Sequence, residues 1–513
     1  MISRSGAVAP DALASSTLLV LTPLAVDRRA VRAGAPSARV VVTGIGPRRA
    51  RRTAWRAAAL AGAGVGVVGA CVAIDPELEP GDLVLASEIR HPRGVIDIPA
   101  AGIVAGVLRR SGIDVKVGPI VSHPHALLRS ERVRLRSSGA LAADAESAWL
   151  ARAAAGRPLC VLRSVVRSRH GSVGRPLGTV TSGARANRAL AACAWALERW
   201  AEAIAPRTVA LAATRASCAG VERAVDAVEL SLARRRGAPL YVRKEIVHNA
   251  HVVADLERRG AVFVDEVDEV PAGAPVVFSA HGVAPSVRAA AAARDHEVID
   301  ATCPLVAKVH AEARRFASAG YTIVLIGHAG HEEIDGTLGE APDRTVLIDS
   351  VEAVERLDVD DPDRVAYLTQ TTLAVDETRA IVEALRRRYP KLVGPRSDDI
   401  CYATQNRQDA IRELAPACDV ILVVGSSNSS NSTRLVEVAG RAGCDAHLIG
   451  DETAIDPGWL AGARTVGLSA GASAPEALVQ RVARALRGLG ALRIEDRRAA
   501  REVVQFKPPR GLG

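Results

Sequence analysis

Between residues 326 and 337 the sequence runs "IGHAGHEEIDGT". His328 and His331 stand three apart, with Glu332, Glu333 and Asp335 directly behind them. Imidazole and carboxylate at this spacing suit a divalent metal ion. Taken alone the stretch is ambiguous, and the other polar positions of the chain have to decide what it does.

Three cysteines share one context. Cys218 in "TVALAATRASCAGVERAVDAVELSLARR", Cys303 in "HEVIDATCPLVAKVHAEARRFA" and Cys401 in "VGPRSDDICYATQNRQDAIRELA" each follow an apolar strand or polar loop and precede a helix. Pro304 is suited to a first helical turn. A helix N-terminus lowers a thiol's pKa and favours the metal-binding thiolate. The cysteines lie 85 and 98 residues apart, so each fits one of three similar α/β lobes. Zinc is usually closed by four ligands in short CxxC pairs, which are missing here. An iron–sulfur cluster normally takes four cysteines, and three would leave one iron open. The other five (Cys71, Cys160, Cys193, Cys418, Cys444) lie in or near apolar segments and read as small core residues.

Several loops suit an anion. "DVILVVGSSNSSNSTRLVEVAG" runs from a buried strand through seven Ser or Asn residues, 426–432, into a helix. Free N–H groups and hydroxyls converge at such a place. "RTVGLSAGASAPEALVQRVARAL" repeats the arrangement around Ser473, "PVVFSAHGVAPSVRAAA" presents His281, and "LYVRKEIVHNAHVV" offers His248 and His251.

These loops need strands and helices to hold them. Leu18–Leu21, "ARVVVTGIGP", "VGVVGACVAI" and "GDLVLASEI" read as strands, with "RRARRTAWRAAALAGAG" helical between the second and third. "DAESAWLARAAAG" is a helix leading into the strand "PLCVLRSVV". The Gly/Arg/Ser-rich stretch 167–187 reads as a surface loop, and "RALAACAWALERWAEAIA" as one long helix. The strand "PRTVALAA" then opens a second half. The expected division is 1–205, with a linker near 167–205, and 206–513. In the helix after Cys218 the expected apolar face is Val221, Val225, Val228 and Leu232.

At 513 residues two or more domains are expected. The net charge of +9 is spread along the chain, and aromatics are only 3%, too few for a base-stacking platform. No nucleic-acid partner is expected. No window is long and apolar enough to span a bilayer, and the apolar run near the N-terminus is too short for a signal peptide. A cytoplasmic, reducing location follows, in which disulfides are not expected.

Taken together, "YVRKEIVHN", "FSAHGV", "DATCPLVAKVH", "IGHAGHEEIDGT", "LTQTTL", "GPRSDDICYATQNRQ", "VVGSSNSSNSTRL" and "SAGASAPE" cover 206–513 in order. This region resembles the 4-hydroxy-3-methylbut-2-enyl diphosphate reductases, the last enzymes of the methylerythritol phosphate route to isoprenoids. The resemblance implies a three-lobed α/β trefoil around a central [4Fe–4S] cluster held by Cys218, Cys303 and Cys401. It implies that His248, His281, His331, Ser429, Ser430, Asn431 and Ser473 hold an allylic diphosphate. Thr371 and Glu333 would face the reacting end, with Glu333 as proton source. The electron donor would be a ferredoxin or flavodoxin served by an NADPH-dependent reductase. On this reading His331 meets phosphate, while His328 and Glu332 are structural or solvent-facing. Rival readings are a zinc hydrolase of a phosphorylated substrate and a non-catalytic iron–sulfur sensor. One departure stands out: Ala216 and Ser217 precede Cys218 where the family usually has Gly-Phe.

In the first half, "VVVTGIGPRRA", "GACVAIDPELEPGDLVLASEI" and "SSGALAADAESAWLARAAAGRPLCVLRSVV" resemble the nucleoside phosphorylase and nucleosidase superfamily, including hopanoid-associated members. The resemblance implies an α/β domain in which Glu146 grips ribose hydroxyls. Arg167 stands where the family has the aspartate that protonates the base, so the domain is either an inactive scaffold or a nucleosidase.

Overall fold

Apolar strands alternating with amphipathic helices give four sheets, most of their strand pairs parallel, in the computed structural model, which describes residues 18–125, 129–167, 176–235, 237–497 and 504–509. The described residues divide by their contacts into two compact units. One comprises 1–209 with 451–466 and 480–494; the other comprises 210–450 with 467–479 and 495–513.

The first unit is built on eight strands. They are β1 (Leu19–Thr22), β2 (Arg39–Val42), β3 (Val65–Ala73), β4 (Leu83–His91), β5 (Gly94–Asp97), β6 (Lys116–Ser122), β7 (Ala142–Asp144) and β8 (Leu159–Arg167). The order is β2-β1-β3-β7-β6-β4-β5, and β8 pairs with both β3 and β4. Strands β3, β7, β6, β4 and β8 therefore form a closed ring of paired strands. Leu19, Val67, Val84, Ile89, Val161 and Val165 are among the side chains of its core. Beside them sits a buried ion pair, Arg163 to Asp144 at 2.8 Å, with Ser147 accepting further hydrogen bonds from the same guanidinium. The third nitrogen of the guanidinium, Nη1, is buried without a hydrogen-bond partner, so the ion pair and the Ser147 bonds alone offset the cost of holding this charge out of water.

Two expectations for the end of this half change. Of the stretch read as a loop, 168–175 lie outside the described residues, but a helix runs from Pro176 to Cys193, so the loop does not extend to 187. The expected single helix after it is interrupted at Ala194, and a second runs Trp195–Glu202. Packing holds the helix from Ala186 onward. Ala186, Leu190, Cys193 and Leu197 recur at three- and four-residue intervals and are all buried. That stripe outweighs the weak helix propensity of a Gly- and Thr-containing segment.

The remaining strands form three smaller sheets. They are β9 (Arg207–Leu211), β10 (Leu240–Arg243), β11 (Ala261–Val264), β12 (Val276–Phe278), β13 (Val298–Asp300), β14 (Thr322–Ile326), β15 (Thr345–Ile348), β16 (Val365–Thr369), β17 (Val420–Val424), β18 (Asp445–Ile449), β19 (Thr465–Ala470) and β20 (Leu492–Asp496). The sheet orders are β11-β10-β12-β13, β15-β14-β16 and β18-β17-β19-β9-β20. The first two are wholly parallel. Each sheet has its own apolar packing, which is the three-lobed arrangement expected. The helix Ala219–Arg235 turns a slightly different face inward than expected. Ala224, Ala227, Val228 and Ser231 are buried, while Val221, Val225 and Leu232 pack at the margin. Small residues let this helix lie close to its sheet.

Parallel sheets gather their functional loops at the carboxyl ends of the strands. Cys218 follows β9 and Cys303 follows β13. The backbone N–H of Cys401 donates to the carbonyl of Thr371, just beyond β16, at 3.1 Å. Each of the three sheets thus places one cysteine. No helix among the described residues is long and apolar enough to cross a membrane.

Candidate active site

One cavity in the second unit is lined by the twelve side chains that the reductase resemblance assigns to cluster, diphosphate and reacting end: Cys218, His248, His281, Cys303, His331, Glu333, Thr371, Cys401, Ser429, Ser430, Asn431 and Ser473. Positions more than 250 residues apart in the chain meet there.

The thiols occupy one end. Cys303 is the residue before the helix Pro304–Ser318, and Cys401 caps the helix Tyr402–Leu414, its sulfur accepting from Thr404 N–H at 3.3 Å. Gly220 is obligatory beside them: a Cβ there would lie 2.7 Å from the Cys303 sulfur and 3.8 Å from that of Cys218. The helix termini do not lower the pKa values of Cys303 and Cys401 as expected. Burial dominates, pushing Cys303 up to about 12 and Cys401 up to about 11 against the backbone and Thr404 hydrogen bonds that favour thiolate. A bound cation would supply the stabilisation that thiolate lacks here.

The donor set distinguishes between metals. Among the described residues, two groups of His, Cys, Asp or Glu bring their ligand atoms within 4.8 Å of one another, as one ion requires. These are His123 with His125 and Glu131, and His248 with His281 and Glu332; the three thiols are not such a group. Their wider spread, with a glycine kept clear between them, suits a multi-iron cluster better than a single zinc ion.

Three imidazoles line the other end. The rings of His248 and His281 are stacked with centroids 4.0 Å apart, and His331 meets them edge-on at 5.3 and 5.8 Å. Burial first, then the neighbouring imidazoles, pushes His248 down to about 4 and His331 down to about 3. An anion bound among them would act against both effects by favouring the protonated rings. Their orientation is fixed from behind. His331 caps the helix Glu332–Leu338, its Nδ1 accepting from Glu333 N–H, which leaves Nε2–H free to donate. His281 Nδ1 lies 3.3 Å from a carboxylate oxygen of Glu332. The Glu332 pKa stays low because, although burial opposes ionisation, hydrogen bonds from His281 and Ser279 and the charge of the imidazoles outweigh it. A carboxylate only accepts, so His281 also presents Nε2 as acceptor or, protonated, as donor.

The hydroxyl groups come from two helix starts and a strand end. Ser429 caps the helix Ser430–Arg441, its hydroxyl accepting from Ser432 N–H, which leaves the N–H groups of Ser430 and Asn431 without an intrahelical acceptor. Ser473 donates to the His248 carbonyl at 3.0 Å and lies 3.4 Å from Ser429 Oγ. Thr372 donates to Ser430 Oγ at 3.0 Å.

Glu333 sits between these ends. It is 2% exposed, and both its oxygens accept from Thr371: one from the backbone N–H at 2.6 Å, the other from the hydroxyl at 3.0 Å. Burial nevertheless pushes its pKa up to about 7.

Several contributors escaped sequence reasoning. Glu332, expected to be structural or solvent-facing, is turned inward against His281. Thr404, fully buried, links the Cys401 sulfur to Asn431, whose side-chain oxygen accepts from Ala472 N–H. Asn428 donates to Glu245 at 2.8 Å, and Glu245 in turn meets His248 at 3.3 Å. Only Thr404 had a sequence signal, three residues past a helix-capping position. His328 is not among the residues lining the cavity and pairs with Arg434.

In the first unit Glu146 is buried and accepts from Gly46 N–H at 2.8 Å. Arg167 is exposed at the end of β8.

Comparison with known proteins gives the geometry a family context. The LytB protein family matches residues 209–487. The 4-hydroxy-3-methylbut-2-enyl diphosphate reductase of Mycolicibacterium paratuberculosis is 60% identical over 308 residues, which is 60% of this chain and 92% of that protein. The solved E-1-hydroxy-2-methyl-but-2-enyl-4-diphosphate reductase of Plasmodium falciparum is similar at 34% identity and a TM-score of 0.57, covering 60% of this chain and 97% of its own. A 5'-methylthioadenosine/S-adenosylhomocysteine nucleosidase from Helicobacter pylori matches 36% of this chain and 98% of its own, at 16% identity and a TM-score of 0.33.

Proposed function

The chain belongs to the LytB protein family, and from that premise we propose that residues 206–513 form a reductase domain acting on 4-hydroxy-3-methylbut-2-enyl diphosphate. The reaction consumes two electrons and two protons: one proton leaves with the allylic hydroxyl as water and the other is added to one end or the other of the allyl carbon framework, giving isopentenyl or dimethylallyl diphosphate, the last step of the methylerythritol phosphate pathway. The observation that carries this reading is the single cavity with three thiols at one end, three imidazoles and a run of hydroxyls at the other, and one buried carboxyl between.

Cys218, Cys303 and Cys401 would hold a [4Fe–4S] cluster, which when bound supplies two electrons one at a time and a Lewis-acidic iron without a protein ligand. His248, His281, His331, Ser429, Ser430, Asn431 and Ser473 bind the diphosphate by hydrogen bonds and set the substrate's direction in the cavity. Thr371 holds Glu333 at both oxygens. Glu333, kept protonated to near neutrality by burial, delivers a proton to the departing oxygen and favours its loss as water. The apolar lining of Val221, Val247 and Leu305 excludes water from the hydrocarbon part. A small diphosphate is the partner at the site; a ferredoxin or flavodoxin with its NADPH-dependent reductase is the electron source, in the reducing cytoplasm.

Residues 1–205 would form a nucleosidase-like domain in which Glu146 keeps a buried position but Arg167, exposed, cannot protonate a base. It serves as a scaffold on this reading.

Anaerobic purification followed by assay with the hydroxylated diphosphate and a chemical reductant tests the proposal. A brown, iron-loaded protein that makes both products is expected. A colourless, zinc-loaded protein that hydrolyses phosphate esters would overturn it.

A further inference from the structure

Away from the cavity, the first unit carries a second convergence of ligand-type side chains. His123 follows β6 directly, with its backbone N–H donating to the Asp144 carbonyl at 2.8 Å. His125 comes two residues later, beyond Pro124, and Glu131 lies in the first turn of the helix Arg129–Ser137. The two rings meet edge to face with centroids 4.1 Å apart. One nitrogen from each ring and a carboxylate oxygen all lie within 4.8 Å of one another. The Nδ1 atom of His123 is buried and has no hydrogen-bond partner. A ring nitrogen shut away from water without a partner is destabilising, and a ligand that accepts its lone pair removes that cost.

We propose that His123, His125 and Glu131 form a binding site for a divalent transition-metal ion, zinc above all. Two imidazoles and one carboxylate are the donor set of borderline ions such as zinc, cobalt and nickel. Magnesium and calcium require oxygen ligands throughout and are excluded by the imidazoles. The surroundings sharpen that selection. Arg132, Arg134 and Arg136 share the helix with Glu131, and their charge opposes any cation held by electrostatics alone. Only an ion that gains strongly from coordinate bonds to nitrogen overcomes them.

Three protein donors leave one position of a tetrahedral ion open to water or an anion. The site stands at the carboxyl end of β6, and Ser122, its last residue, is paired in register with Asp144 of β7. Ligands collect at this end of parallel strands. The proposal is independent of the reductase reading, since it concerns the other unit and a different metal.

The test uses the full chain with its iron in place. The protein is equilibrated anaerobically with zinc, freed of loose metal and analysed for zinc and iron together. Wild type is expected to keep one equivalent of zinc that His125→Ala and Glu131→Gln both lose, with iron unchanged in all three. His125 is exposed, so its replacement disturbs no core, and a far-ultraviolet circular dichroism spectrum and thermal midpoint matching wild type report that the variants are folded. His281→Ala distinguishes this site from the imidazole cluster of the other unit, and it should keep the same zinc. If wild type retains no zinc, or if His125→Ala and Glu131→Gln retain as much as wild type, the proposal fails.

Discussion

The carbonyl of Ala216 accepts hydrogen bonds from two nitrogens of Arg407, one at 3.1 Å, and the Arg407 side chain is fully buried. This pins the segment leading into Cys218 to the helix that begins after Cys401. Ala216 pays for the arrangement with a left-handed backbone, φ 65°. An alanine there costs ~1–2 kcal/mol, and the greater freedom of glycine in the unfolded chain gives back only ~0.4–1 kcal/mol of that. Ala216→Gly should therefore stabilise the protein by about 0.5 kcal/mol. The check is the denaturant midpoint for loss of cluster absorbance, which should rise with an unchanged slope.

Replacing Cys218, Cys303 or Cys401 by serine should remove iron and visible colour. Cys418→Ser and Cys444→Ser should keep both, since these thiols belong to a packed layer beneath β17. Bleaching by Cys418→Ser as complete as by Cys303→Ser would refute the ligand assignment.

Glu333→Gln keeps the shape of the side chain but has no acidic proton. Turnover should fall by roughly 10²–10⁴-fold, the usual range for loss of a general acid, with iron content and substrate binding preserved. His331→Ala should chiefly raise KM, because it removes a contact made equally in ground and transition states. His328→Ala should leave both constants near wild type. Iron and turnover are to be measured on one anaerobic sample; loss of iron from Glu333→Gln would make 326–337 a metal site instead.

The pH dependence carries a direction. Burial raises the Glu333 pKa to about 7, and the two Thr371 hydrogen bonds hold it down against that. The protonated carboxyl is the active form, so turnover is highest below this pKa and is lost as pH rises through it. Thr371→Val removes the hydroxyl donor and destabilises the carboxylate. The pKa rises, and the descending limb of kcat should move to higher pH even though the rate itself falls. A limb that stays in place or moves down would show that another group controls it.

With Arg167 at the end of β8 instead of an acid, the full-length protein should release no adenine from adenosine-type nucleosides. Chromatographic detection of free base at an enzymatic rate would show an active nucleosidase.

Much of the site was readable because its residues sit where strands end and helices begin, and those junctions leave marks in sequence. Cys303 before Pro304, and the Ser/Asn run before the helix Ser430–Arg441, are such marks. What stayed hidden depends on long-range approach. Nothing local announces that Glu332 will meet His281, 51 positions earlier, or that Thr404 will reach Asn431. The thiol pKa values went the other way for the same reason: a helix terminus is legible locally, whereas burial by three converging lobes is not. The helix beginning at Pro176 was read as a loop because its composition is weakly helical and its stabilising stripe becomes visible only once packed.

The lining of the cavity contains neither lysine nor arginine, and the imidazoles of His248 and His331, with pKa values pushed down to about 4 and about 3, are uncharged when it is empty. Substrate and both products carry the same diphosphate, so whatever grips it before the reaction grips it equally afterwards. A fixed cationic clamp would hold the product as tightly as the substrate and make its departure the slow event of the cycle. A grip assembled from neutral donors, which acquire charge only by borrowing protons while the anion is present, lets go when those protons leave.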